Sequence, residues 1–140
     1  EQGGTLVVQY NTNSRLAPLP GPVGPYPLVI GRERITDETA AMVAIDPNDP
    51  ILRTPNRLGD ADFDGWVQER GLYFAESWDE RYRPVFRSAD PSEAPLAGGV
   101  LVARHGRGRY VYTGLSFFRQ LPAGVPGAYR LLANLIGAKG

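Results

Sequence analysis

Side chains able to do chemistry are sparse in this sequence. Its 140 residues include one histidine, His105, and no cysteine. A structural or catalytic zinc would need several His or Cys ligands, so zinc is close to excluded, and the lack of cysteine rules out disulfides and a thiol nucleophile. The acids come in local pairs, Asp62/Asp64 in DADFDGW and Asp79/Glu80 in SWDERY. Such pairs do glycosidase chemistry only when a fold sets them across a cleft. Helix capping and surface ion pairs are their plainer use. The DADFDGW spacing also lacks the distal Glu of a calcium loop. Ser116 and His105 have no nucleophile-elbow sequence around them. We therefore expect no cofactor and no metal, and assign no residue a catalytic role.

The basic stretch RHGRGR, residues 104–109, is the other chemical candidate. A phosphate loop needs glycines leading from a strand into a helix, where amides and helix dipole meet the anion. Here Gly106 and Gly108 lead from one apolar strand to another, which is hairpin chemistry. The match of RGRYVY to an RNA-binding sheet motif is partial, and a second motif is missing. Lys+Arg and Asp+Glu are 15 each, so the net charge is zero and no nucleic-acid partner is expected. The arginines of the turn are read as solvated or paired with nearby acids, and Tyr110 and Tyr112 as lining one strand face.

The elements that must position these groups follow from hydropathy and turn residues. Thr5–Tyr10 is a continuous apolar run, the pattern of a buried parallel strand. Residues 11–27 hold five prolines and form a long loop, functional or a cover. Short strands are expected at Leu28–Ile30, Arg34–Thr36, Met42–Ile45, Leu72–Phe74 and Pro84–Phe86. A short helix is expected over Phe63–Val67, capped by Asp60 or Asp62. Val100–Ala103 and Tyr110–Thr113 form the hairpin. Val125–Ile136 reads as a helix with Pro126 in its first turn. Val125, Ala128, Tyr129, Leu132, Leu135 and Ile136 are its expected buried face. No apolar run reaches the roughly 20 residues of a membrane span.

Four stretches in this order, GGTLVVQYN, DPNDPIL, DFDGWVQERGLYF and GGVLVARHGRGRYVYTGLSF, followed by a closing helix, carry a family resemblance. They resemble the later part of a glutamine-amidotransferase-like domain of the flavodoxin-like, ThuA-type branch. More closely, DFDGWVQERGLYF and YTGLSFFRQLPAGVPGAYRLLANLI look like the C-terminal domain of large bacterial PIG-L/LmbE-type deacetylases. The resemblance covers nearly the whole chain. It implies an α/β, three-layer fold with GGTLVVQYN as a central parallel strand and the first half of the domain upstream of Glu1. EQGG before Thr5 reads independently as a helix C-cap, so a piece of a larger protein is expected. Amidotransferases carry a Cys at the end of the matching strand. This chain has Gln9, Tyr10 and Asn11 there, and Phe117 where ThuA-type relatives place His. The deacetylase's His-Pro-Asp-Asp run is missing too.

The resulting expectation is a non-catalytic accessory domain of an N-acetyl-sugar deacetylase, serving assembly or glycan contact. Two alternatives stand beside it. One is a small-molecule or sugar site at the C-terminal strand ends, where open α/β sheets bind ligands, lined by Gln9, Asn11, Trp66, Glu69 and Tyr73. The other is a hydrolase with Glu69 or Asp64 as general base. A strand cut at Thr5–Tyr10 leaves an edge inviting another chain, so the expected partners are the upstream part of the same protein or a second copy.

Overall fold

The computed structural model describes residues 2–12, 16 and 18–138. It is mixed α/β and strand-rich. Its strands are β1 (Thr5–Gln9), β2 (Leu28–Ile35), β3 (Val43–Ala44), β4 (Gly71–Trp78), β5 (Arg83–Pro84), β6 (Phe86–Arg87), β7 (Val100–His105) and β8 (Gly108–Thr113). Helices α1 (Phe117–Gln120) and α2 (Pro126–Gly137) close the chain, and 3-10 turns stand at Pro50–Leu52 and Asp60–Phe63. The main sheet is mixed, in the order β1-β8-β7-β5. β1 runs parallel to β8, and the other pairs are antiparallel. β2 pairs with β4, and β3 with β6, in two-stranded ladders.

The hairpin forms where the glycines place it. His105 pairs with Gly108 around a two-residue turn, and Gly106 has φ 59°. Only glycine takes that first turn position readily. The apolar run on either side is buried on both faces. Val100, Val102 and Val111 enter a core with Trp66, Phe117 and α2, while Leu101, Ala103, Tyr110 and Tyr112 enter a second core with Ile30 and Tyr82. β1 reaches both: Val7 packs on the first core and Val8 on the second. Part of the proline-rich loop is a cover, since Leu19, Val23 and Tyr26 lie on the second core. Residues 13–15 and 17 of that loop lie outside the described residues.

Several elements depart from the sequence expectation. The strands expected at Leu28–Ile30 and Arg34–Thr36 are one strand, β2, which ends at Ile35 and is joined through bulges against a β4 that extends to Trp78. The helix expected at Phe63–Val67 is instead a 3-10 turn over Asp60–Phe63, ended by extended Asp64 and by Gly65 at φ 74°, and Val67 is held by the buried Gln120 amide. Gln120 accepts from Val67 N–H at 2.8 Å and donates to the Val67 carbonyl at 2.9 Å. α1 itself was not expected. The buried face of α2 is Gly127, Ala128, Leu131, Asn134 and Leu135, whereas Tyr129 and Ile136 are exposed. The helix is turned because Gly127 lies against the Asp62 carbonyl, where a Cβ would come within 1.7 Å. Asn134 is buried for its hydrogen bonds, which a hydropathy pattern does not register.

Arg109 is the clearest correction at the hairpin. It is neither solvated nor paired with an acid. It is buried, and its guanidinium donates to the carbonyls of Leu135 and Ala138. A cation there satisfies the last carbonyls of α2 and the negative end of its dipole. Burial lowers its pKa.

Candidate functional site

Parallel pairing brings the C-terminal ends of β1 and β8 together, and the Tyr10 N–H donates to Thr113 at 2.9 Å. The chain leaving β8 turns into α1 and sets Phe118 and Arg119 beside the chain leaving β1. A third segment, Gln68–Tyr73, leads into β4. Glu69 lies at the meeting point. One of its carboxylate oxygens, Oε1, accepts from Arg119 Nε at 3.0 Å and from the Tyr10 hydroxyl at 3.4 Å. The Tyr10 ring makes edge contacts with Tyr73 (5.3 Å between centroids) and Phe118 (4.6 Å). The Arg119 guanidinium sits 4.8 Å from the centre of the Phe118 ring. Burial and the Glu69 charge raise the pKa of Tyr10, partly offset by Arg119.

The backbone here is strained. Tyr10, Gln68 and Tyr73 have φ of 48°, 67° and 60°. Among the described residues only one other non-glycine residue, Ser92, has a positive φ. Such conformations cost on the order of 1–3 kcal/mol each and persist only where surroundings enforce them. Tyr73 is enforced in part by Tyr112, whose hydroxyl donates to the Tyr73 carbonyl.

Four of the five residues expected to line a site lie around this point. Glu69 and Tyr73 form it. Gln9 is the exposed last residue of β1, and the Asn11 side chain donates to the Gln9 carbonyl at 3.2 Å. Trp66 does not belong. It is 4% exposed, its indole N–H donates to the Asp62 carbonyl, and Phe63, Phe117 and the Arg70 guanidinium surround it. No ring face remains for a ligand. Tyr10, Phe118 and Arg119 complete the cluster. Their only signal in the sequence is position, just beyond the ends of two strands.

Asp62 and Asp79 serve structure. Asp62 accepts from Gly59 N–H and Arg130, and Asp79 is held at a pKa of about 2 by hydrogen bonds from Arg81. His105 makes an edge contact with Tyr26. No group of three or more His, Asp or Glu among the described residues is placed to hold a metal. At the opposite end of β1 a cavity of about 520 Å³ is lined by Leu6, Val23, His105 and Tyr110. Another of about 370 Å³ lies among Arg104, Arg107, Arg109 and Ile136.

The outer edge of β1 is open. Gly4 accepts from Arg109 N–H and Tyr10 donates to Thr113. The alternation of a parallel ladder then turns Leu6 and Val8 toward β8, and Thr5, Val7 and Gln9 outward. Leu6 is 60% exposed. No strand pairs with this edge among the described residues, and no described helix is long and apolar enough to cross a membrane. No family model, curated protein or solved structure matches the chain.

Proposed function

We propose that the chain is a non-catalytic accessory domain that docks through β1 to the preceding part of a larger, PIG-L-type carbohydrate deacetylase. In this reading it is the later part of a flavodoxin-like three-layer domain. The observation that carries it is the open edge of β1. An uncharged run, TLVVQ, packs on both cores, yet among the described residues nothing pairs with the outward N–H and C=O groups of Thr5 and Val7. Natural edge strands are blunted by charge, proline or bulges. This strand has none of these and reads as an interior strand awaiting a neighbour.

The hydrolase alternative has weaker support. A general base needs a carboxylate free to take a proton. Glu69 is tied to Arg119 and Tyr10, while Asp64 lies on an exposed turn.

Hydrogen exchange at Thr5, Val7 and Gln9 tests the docking. These amides should exchange freely in the isolated chain and slowly in the whole polypeptide that carries it. Equal exchange in both overturns the reading. Protection that rises with concentration of the isolated chain also overturns it, in favour of pairing with a second copy.

A further inference from the structure

We infer that the patch at the C-terminal ends of β1 and β8 binds a neutral saccharide. The inference concerns different residues from the docking edge, so either reading can fail alone. Three separate segments of the chain converge on the patch, and three non-glycine residues hold left-handed backbone to build it. Strain of this kind concentrates at ligand sites. The position, beyond the carboxyl ends of a parallel pair, is where open α/β sheets take ligands.

The chemistry selects the ligand class. Phe118, Tyr10 and Tyr73 form a row of rings in successive edge contact, and Phe118 is 48% exposed. A pyranose ring offers an apolar C–H face to the exposed Phe118 ring, which Tyr10 holds edge-on, and a rim of hydroxyls beyond it. Glu69 accepts from hydroxyls, and the Arg119 guanidinium donates to them. The two charges cancel across their 3.0 Å contact. The paired patch therefore carries no net charge to draw an ionic ligand, while Glu69 Oε1 and Arg119 Nε leave the other carboxylate oxygen and the outer guanidinium nitrogens to meet the hydroxyls of a neutral polyol. Carboxylate side chain and guanidinium are 15% and 37% exposed, so the pair is shielded but reachable.

Amide NMR of the 140-residue chain, titrated with oligomers of N-acetylglucosamine, glucose and galactose and, separately, with sulfated and phosphorylated sugars, tests this. At least one should give saturable shifts at Asn11, Gln68, Glu69 and Arg119. Phe118→Ala removes an exposed ring and should weaken that binding about tenfold, the equivalent of one aromatic contact. Glu69→Gln keeps the shape, breaks the ion pair and should weaken it as well. Leu6→Lys, at the docking edge, should leave it unchanged. The proposal is overturned if no neutral saccharide gives saturable shifts. It is equally overturned if the shifts lie elsewhere, if both site variants bind like the parent chain, or if only sulfated or phosphorylated sugars bind.

Discussion

Asp90 follows β6, yet it organises the end of β2. Its carboxylate accepts from the Thr36 N–H and hydroxyl, both at 2.9 Å, and from the Asp37 N–H at 2.8 Å. Burial alone would raise its pKa, but these donated bonds outweigh burial and lower it. A carboxyl with a depressed folded-state pKa stabilises fully above its unfolded value, about 3.9, and loses that stabilisation as pH falls through the folded value. Asp90→Asn should therefore cost about 1–3 kcal/mol at pH 7 in denaturant unfolding. The gap to wild type should close below about pH 4. A gap that does not vary with pH would show that the charge is not what matters. Nothing in SADPSEAPLAGG distinguishes Asp90 from an exposed loop acid, because its partners lie more than 50 residues away. Glu69 was legible as a polar group near a strand end. Its partner Arg119 was not, for the same reason.

α2 shows what a helical pattern conveys and what it misses. Its span was read almost to the residue from Pro126 and the apolar repeat. Its rotation was not, because the face is set by a glycine and an asparagine. Asn134 donates to the carbonyls of Ile51 and Asn56 and accepts from Asn56 N–H at 2.8 Å. It holds the 51–56 turn against the helix. Asn134→Ala strands these buried groups and should cost about 2–4 kcal/mol, read as a lower denaturation midpoint with unchanged slope. Gly127→Ala is a test with a counterintuitive sign. Helix propensity alone favours alanine by about 1 kcal/mol. Contact with the Asp62 carbonyl reverses this, and we expect destabilisation of about 1–3 kcal/mol. A more stable variant would mean that helix and 3-10 turn can separate freely.

At the scale of the whole molecule, the main sheet ends on its most apolar uncharged strand. Leu6→Lys places a charge at an exposed position of that strand. It should leave the unfolding midpoint of the isolated chain within about 0.5 kcal/mol of wild type. In the larger polypeptide it should restore fast exchange at Thr5, Val7 and Gln9. A large loss of stability in the isolated chain would mean that Leu6 is already covered. The hairpin, the strand at β1 and the C-terminal helix were legible because each rests on local pattern and turn chemistry, but β1, expected as a buried central strand, lies at the sheet edge with Thr5, Leu6 and Gln9 exposed. The joining of β2 across its bulges, the extent of β4 and the existence of α1 were not. Each depends on pairing or side-chain hydrogen bonds between distant segments.

The division of the interior into two cores has an optical consequence. Trp66 is buried in the core beneath α2, and Trp78 packs against the tyrosine-rich core on the other face. The chain has no other tryptophan. Replacing either one with phenylalanine leaves a single emitter that reports on one side of the sheet. Trp66 emission should shift to the red as the helical face opens, and Trp78 emission should follow the face covered by the proline-rich loop. Coincident curves would mean that the two halves of the interior melt as one cooperative unit. Separate curves would identify the side that opens first.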